Sequence, residues 1–169
     1  MVAGKVGYVY PLILYLRLMF SNTAEYALRA VAALAEDWQQ PHPVQRIAER
    51  TRMPIDYLSK VMQLLCKAGV VKAQRGRHGG YKLSRAPEQL SLLEVINAVD
   101  PIRRINECPL GLPGHGSNLC PLHRRLDNAI RETESAFRET TLGELLQSNG
   151  PVRPLCPVEA AKGYVNVVV

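Results

Sequence analysis

Two cysteines and two histidines lie close together in the second half of the chain, and their chemistry suits metal binding. Cys108 and Cys120 flank a segment rich in Gly and Pro. His115 lies between them, and His123 follows Cys120 by three positions. Thiolates and imidazoles bind iron or zinc, and a flexible loop is readily reorganised around a metal. The spacing alone leaves three possibilities open: a metal site, a reversible disulfide, or two incidental thiols.

Positive charge is concentrated in one stretch of the sequence. The chain has 169 residues and a formal net charge of +6, yet residues 57–87 contain no Asp or Glu. That stretch carries seven cations, which are Lys60, Lys67, Lys72, Arg75, Arg77, Lys82 and Arg85. Because they exceed the net charge of the whole chain, the remainder is close to neutral and one local surface suits a polyanion such as nucleic acid. The alternative is an ordinary solvated face.

Three predicted helices must position this charge. Apolar residues recur at intervals of three and four over residues 22–38, 44–52 and 55–68. Pro54 opens the third helix and Gly69 ends it. We expect the inward face of that helix to consist of Ile55, Leu58, Val61, Met62 and Leu65. Such a helix-turn-helix can place its third helix in the major groove of DNA.

Two short strands, at residues 70–74 and 81–83, follow the third helix. The turn between them is basic and rich in glycine, so the hairpin is predicted to form the wing of a winged helix. The candidate DNA contacts are Asp56, Tyr57, Ser59, Lys60 and Gln63 on the helix, and Arg75, Arg77, His78 and Lys82 on the wing. Basic side chains would neutralise phosphates, whereas the helix would read base edges. For Tyr57 a packing role is an equally good interpretation.

The second half of the chain is predicted to be helical on both sides of a loop. Ser91 and Glu94 have the spacing of a capping box at the start of a helix, and residues 106–121 form the loop. A long helix over 121–139 then carries an apolar stripe. A winged module of this size leaves little core to cover that stripe, so we expect a homodimer whose two-fold symmetry matches a palindromic operator.

The composition is that of a globular protein, with 47% hydrophobic and 21% charged residues. We expect a fold that is mainly α with a small β-hairpin wing. Its parts would be an N-terminal extension at 1–17, a winged helix-turn-helix at 18–87, an effector loop with dimerisation helices at 88–147, and a tail at 148–169.

The N-terminal extension contains an apolar run at residues 6–20 that is interrupted by Pro11 and Arg17. This run is shorter than the roughly 20 apolar residues that span a bilayer. We therefore expect translation to start near Leu18 or Met19, and a cytoplasmic protein with no membrane partner.

A set of short motifs is spread over residues 18–147. They are 24–29 (AEYALR), 47–49 (IAE), 57–58 (YL), 67–71 (KAGVV), 75–83 (RGRHGGYKL) and 141–145 (TLGEL). As a set they resemble the Rrf2 family of winged helix-turn-helix transcriptional regulators, of the IscR and NsrR type. The resemblance implies a homodimer that crosses over through the long helix, with an iron-sulfur cluster in the adjoining loop.

Cluster-binding members of that family have three evenly spaced cysteines in this loop. Cys108 and Cys120 match the outer two, and Gly114 stands at the middle position. In some members a histidine follows the last cysteine, and His123 matches it. In others an acidic residue of the first helix completes the site from the partner subunit, and Glu25 matches that position.

Two of His123, His115 and Glu25 would complete the ligand set, and mixed ligation favours a two-iron over a four-iron cluster. Glu25 is as well explained by a surface charge near a helix start. The expected function is a DNA-binding regulator, a repressor, that responds to iron, redox state or nitric oxide. The alternatives are a structural zinc ion or a thiol–disulfide switch, with no iron-sulfur cluster. An enzyme is not expected, because so short a loop offers no nucleophile–base pair or substrate cleft.

Overall fold

The computed structural model describes residues 21–109, 111 and 118–147. In them the chain forms α1 (Asn22–Ala35), α2 (Val44–Thr51), α3 (Ile55–Lys67), β1 (Val71–Gln74), β2 (Gly80–Leu83), a 3-10 turn (Pro87–Gln89), α4 (Leu92–Val99), α5 (Pro121–Glu139) and α6 (Leu142–Gln147). The expected fold class, mainly α with a hairpin wing, is confirmed. The N-terminal extension, the tail, Gly114 and His115 lie outside the described residues. None of the described helices is long and apolar enough to cross a membrane.

Helix α1 is the centre of the core. It begins at Ser21, whose hydroxyl accepts a hydrogen bond from the Ala24 N–H at 3.2 Å. Its buried face is rich in alanine, so α2, α3 and α4 can all pack closely against it. The helix ends at Ala35 rather than at the predicted residue 38, because the Asp37 carbonyl accepts from the Gln40 N–H and closes a turn.

Helix α3 ends as the sequence predicts. Gly69 has a φ of +74°, in the left-handed region that favours glycine. The Val70 N–H donates to the Leu65 carbonyl at 2.9 Å, and the Gly69 N–H donates to the Cys66 carbonyl at 3.0 Å. This pair of hydrogen bonds is a Schellman motif, and it turns the chain directly into β1.

Four of the five residues predicted on the inward face of α3 are buried, namely Leu58, Val61, Met62 and Leu65. The prediction for Ile55 was wrong, because its side chain is 46% exposed. Ile55 is the first residue of the helix, and its neighbours Pro54 and Asp56 are exposed as well. The helix therefore meets the core from its third residue, where Tyr57 packs against the core and Leu58 follows fully buried.

The hairpin is fixed to the core at its base. Its strands pair with Val71 opposite Leu83, and both of these side chains are buried. The loop before α2 forms a single antiparallel bridge with β2, in which the His42 N–H donates to the Tyr81 carbonyl at 2.8 Å and the Tyr81 N–H donates to the His42 carbonyl at 2.9 Å. The wing is thus held from both the α3 side and the α2 side.

The predicted capping box begins α4. The Ser91 hydroxyl accepts from the Glu94 N–H at 3.2 Å, and the Glu94 carboxylate accepts from the Ser91 N–H at 3.1 Å. Burial raises the pKa of Glu94, but the hydrogen bonds from Ser91 and from the Arg85 guanidinium outweigh this effect and hold the pKa below its usual value.

The chain returns to the core between α5 and α6. The Leu92 N–H donates to the Thr140 carbonyl at 3.0 Å, and the Leu142 N–H donates to the Leu90 carbonyl at 2.8 Å. Leu142 is fully buried in the core cluster. The C-terminal end of α5 is therefore anchored beside the start of α4.

Helix α5 is the longest described helix and lies mostly at the surface. Pro121 is its first residue, as predicted, and His123 is its one buried residue. At the other end Phe137 packs against the core. The apolar stripe is most exposed in the N-terminal half of the helix, where Leu122 is 64% and Leu126 is 47% exposed in this single chain.

Candidate functional site

The exposed side of α3 carries the polar residues that the sequence nominated for base reading. Asp56, Lys60 and Gln63 are all exposed. Their spacing of four and three residues places them along one face, opposite the buried Leu58 and Met62. A helix that presents such a face beside a basic hairpin has the geometry for entry into a major groove.

Tyr57 and Ser59 make contacts inside the protein. The Tyr57 hydroxyl and the Thr23 hydroxyl share a hydrogen bond of 2.6 Å. The Tyr57 ring meets the Tyr26 ring edge to face, with centroids 5.4 Å apart. The Ser59 hydroxyl donates to the Ile55 carbonyl of its own helix at 2.8 Å. These contacts favour the packing interpretation of Tyr57, in which it fixes the start of α3 against α1.

The wing presents concentrated positive charge. Arg75, Arg77 and His78 are exposed at its tip. Lys72 and Lys82 lie directly opposite each other across the two strands. Like charges at such a position destabilise a hairpin in isolation, and a phosphate backbone would relieve that repulsion.

Close backbone approach at the wing's turn requires glycine. A Cβ atom on Gly79 would lie 2.3 Å from the Gln74 carbonyl oxygen, which belongs to the end of β1. The Gly79 N–H donates to the Gly76 carbonyl at 2.9 Å. The glycines therefore shape the turn that carries the cations, as the sequence predicted.

Three of the five candidate metal ligands meet at the start of α5. The Cys120 sulfur lies 3.3 Å from His123 Nδ1, and the Cys108 sulfur lies 3.9 Å from the same nitrogen. Both cysteines are reduced, and Cys108 and His123 are buried. Cys120 immediately precedes α5, so helix geometry presents its sulfur to a side chain one turn on.

The other two candidate ligands are not brought to this cluster in the described chain. Glu25 is exposed on α1 and forms an ion pair with Arg29 one turn away. His115 lies outside the described residues. Among the residues that the structure describes, no group of three or more His, Cys, Asp or Glu side chains is arranged as a metal site as it stands.

An ion pair between Arg104 and Asp127, which the sequence did not predict, lies close in sequence to Cys108 and His123. Arg104 Nε donates to Asp127 Oδ1 at 2.7 Å and Arg104 Nη2 donates to Asp127 Oδ2 at 2.5 Å, so the pair is bidentate. The Ile105 N–H also donates to Asp127, at 3.0 Å. The hydrogen bond from Arg104 holds the pKa of the Asp127 carboxyl below its usual value. A basic residue 23 positions from an acidic one has no local pattern that could have revealed this contact.

A helix-turn-helix with a basic wing, joined to a long surface helix that carries a thiol–imidazole cluster, defines a winged-helix DNA-binding protein with an appended helical element. The comparisons with known proteins agree. Residues 20–148 match the family profile Rrf2, which is described as an iron-dependent transcriptional regulator. The chain belongs to the Rrf2 family.

Individual relatives cover most of this chain. It is 30% identical over 130 residues to the HTH-type transcriptional regulator IscR of Vibrio atlanticus, which covers 76% of this chain and 75% of IscR. It is 29% identical over 138 residues to the HTH-type transcriptional regulator NsrR of Bacillus licheniformis, which covers 80% of this chain and 96% of NsrR. Among solved structures, CymR, the global cysteine regulator of B. subtilis, superimposes with a TM-score of 0.63 at 25% identity over 75% of this chain and 94% of CymR. The protein is therefore a DNA-binding transcriptional regulator and not an enzyme.

Proposed function

We propose that this regulator is a homodimeric repressor, acting in the cytoplasm, whose DNA affinity is controlled by a sensing site of Cys108, Cys120 and His123. The observation that carries the proposal is the convergence of two cysteine sulfurs on one buried imidazole nitrogen. Thiolates and imidazoles are the protein donors that iron and zinc prefer, so this convergence suits a metal-based sensor.

The two thiols and the imidazole are the types of donor that bind an iron-sulfur cluster or a metal ion. At a tetrahedral ion with ordinary bond lengths, a thiolate sulfur and an imidazole nitrogen lie roughly 3.6 Å apart. The two sulfur–nitrogen distances of 3.3 and 3.9 Å bracket that value. Cys108, Cys120 and His123 would supply three of the donors, and a fourth would come from His115 or, across a dimer, from Glu25.

Cys108, Cys120 and His123 would hold the group, with a two-iron cluster favoured by the mixed donors. Bound there, the cluster would supply a centre that gains or loses electrons or reacts with nitric oxide. The chain's own contribution is to hold the imidazole with Nδ1 toward both sulfurs and to keep His123 and Cys108 out of water.

Helix α5 connects this site to the DNA-binding unit. His123 lies in its first turn, and its far end is hydrogen-bonded beside α4 through Thr140 and Leu142. Helix α4 in turn packs against α1 and α3. A change in the sulfur–imidazole cluster would therefore shift α5 and, through α4, the position of the recognition helix.

The DNA contacts are proposed on α3 and the wing. Asp56, Lys60 and Gln63 would face base edges, with Arg75, Arg77, His78 and Lys82 on phosphates or in the adjacent minor groove. The exposed Leu122 and Leu126 on α5 would pack against a second copy. A two-fold dimer would then present two recognition helices to a palindromic operator.

The test is metal and sulfide analysis of the full chain isolated without air, with Cys120→Ser and His123→Ala beside it and Cys66→Ser as the matched thiol control. We expect coloured protein with iron and sulfide in equal amounts, retained in Cys66→Ser and lost in Cys120→Ser. Colourless protein with one zinc per chain would instead support a structural metal. Metal-free protein that forms a Cys108–Cys120 disulfide would support the thiol switch, and both outcomes would overturn the cluster proposal.

A further inference from the structure

We infer that Arg104 and Asp127 form a positioning clamp that holds Cys108 against the start of α5. The inference deepens the proposed function, because it names what assembles the proposed sensing site. The clamp acts through the backbone on which Cys108 and His123 sit, because the Ile105 N–H is itself bonded to Asp127.

The clamp joins the chain entering the loop to the chain leaving it. Arg104 lies four residues before Cys108, and Asp127 lies four residues after His123 on the same helix. The two-pronged contact fixes both the distance and the direction of approach, which a single hydrogen bond would not. The Ile105 N–H makes a further bond to Asp127, so the backbone itself is held.

The surroundings strengthen the clamp. The Asp127 side chain is 15% exposed and that of Arg104 is 31% exposed, so both are partly removed from water. Glu134, two turns further along α5, lies 3.5 Å from Arg104 Nη1 and orients the guanidinium from its other side. Arg104 therefore has two acidic partners on α5, Asp127 and Glu134.

The clamped segment is also tied to α4. The Asn97 side chain of α4 accepts from the Ile102 N–H at 3.0 Å. The short stretch from Ile102 to Ile105 is therefore hydrogen-bonded to α4 at one end and to α5 at the other. We conclude that the clamp sets the register between the DNA-binding unit and the helix that carries His123.

The test measures how closely the fold holds the two thiols. In the full-length chain, Cys108 and Cys120 are equilibrated with glutathione disulfide, where two protein thiols form one disulfide and the oxidant becomes two glutathione thiols. Mass spectrometry of the 105–124 segment measures the fractions of dithiol and disulfide. The resulting equilibrium constant reports the effective concentration of one thiol near the other. Loss of a charged bidentate contact should lower it by on the order of tenfold.

Arg104→Gln should show this lower equilibrium constant, and Arg104→Lys should recover part of the loss. Arg103 is a neighbouring exposed cation, so Arg103→Gln should keep the equilibrium constant within about twofold of wild type. Asp127→Asn, which keeps an acceptor for the Ile105 N–H, should match Arg104→Gln, and the double variant should be no worse than either. Circular dichroism confirms that each variant is folded.

An Arg104→Gln equilibrium equal to that of wild type, in folded protein, would overturn the clamp. Additive losses in the double variant would do the same, since they would mean that the two side chains act separately. The equilibrium requires no bound metal. If the wild-type chain is isolated without iron, the cluster proposal is refuted. The clamp is still tested, because the thiol–disulfide equilibrium can be measured in the metal-free chain.

Discussion

Gly80 is the residue at which a single added carbon should disturb the wing most. Its φ is +154°, and a Cβ atom there would lie 2.3 Å from the His42 carbonyl oxygen and 2.8 Å from the Pro43 nitrogen. These are backbone atoms, so no side chain can rotate away. Relief requires the His42 segment and β2 to separate by roughly 1 Å, given that nonbonded carbon contacts are optimal near 3.5 Å.

That separation would break the two hydrogen bonds between His42 and Tyr81, now 2.8 and 2.9 Å long. Each contributes roughly 0.5–1.5 kcal/mol, so we expect Gly80→Ala to lower the free energy of unfolding by about 1–3 kcal/mol from this cause. Backbone strain adds roughly 1–3 kcal/mol. Gly76→Ala is the matched control, because Gly76 has a φ of +108° but no atom within 4 Å of the added Cβ.

Urea denaturation of both variants separates crowding from strain. The difference between them should be at least about 1 kcal/mol, with Gly80→Ala the less stable. Gly80→Ala should also bind duplex DNA more weakly, because the wing is no longer held by the loop before α2. Equal stabilities for the two variants would refute the claim that the His42 contact holds the wing.

Three further predictions concern the DNA-binding face and the helix caps. Arg77→Ala should weaken duplex binding and reduce the slope of log affinity against log salt by about one, whereas Arg103→Ala should leave it unchanged; an unaltered slope in a salt titration would remove Arg77 from phosphate contact. Tyr57→Phe should destabilise the fold by about 1 kcal/mol and leave the salt slope unchanged, because its hydroxyl bonds Thr23. Thr23→Val should add nothing to Tyr57→Phe in a thermal double-mutant cycle, and full additivity would contradict the shared bond. Because the folded pKa of Glu94 lies below its unfolded value of 4.5, its contribution to stability should be present above about pH 4.5 and lost as pH falls through the folded pKa. Glu94→Gln should thus be less stable than wild type at pH 7 and converge with it in acid, and a constant gap down to pH 2 would count against the cap.

Local signals made much of the fold predictable. Gly69, Pro121 and the Ser91–Glu94 pair mark helix boundaries through the conformational preferences of one or two neighbouring residues, and all three lie where the sequence placed them. The meeting of Cys120 with His123 is predictable for the same reason, because residues three apart share a helix face.

Contacts between distant residues could not be read in this way. Thr23 and Tyr57 are 34 positions apart, and Arg104 and Asp127 are 23 apart. Thr23 meets Tyr57 because α1 packs against α3, and Arg104 meets Asp127 because the segment that follows α4 lies along α5. From the sequence alone, DNA contact and packing were therefore equally good interpretations of Tyr57. The Arg104–Asp127 contact could not be predicted at all. Ile55 fits the apolar period of α3, yet lies outside the core because the period does not report where a helix first meets its neighbours.

In the proposed function, the state of the Cys108–Cys120–His123 site sets the affinity of the basic face for DNA. The direct measurement is the affinity of the full chain for a duplex that it selects from a random pool, at fixed salt, before and after chelation of any bound iron. We expect the affinity to change by on the order of tenfold in wild type and in Cys66→Ser. In Cys120→Ser no change is expected. Affinities that are the same before and after iron removal in wild type would contradict the account.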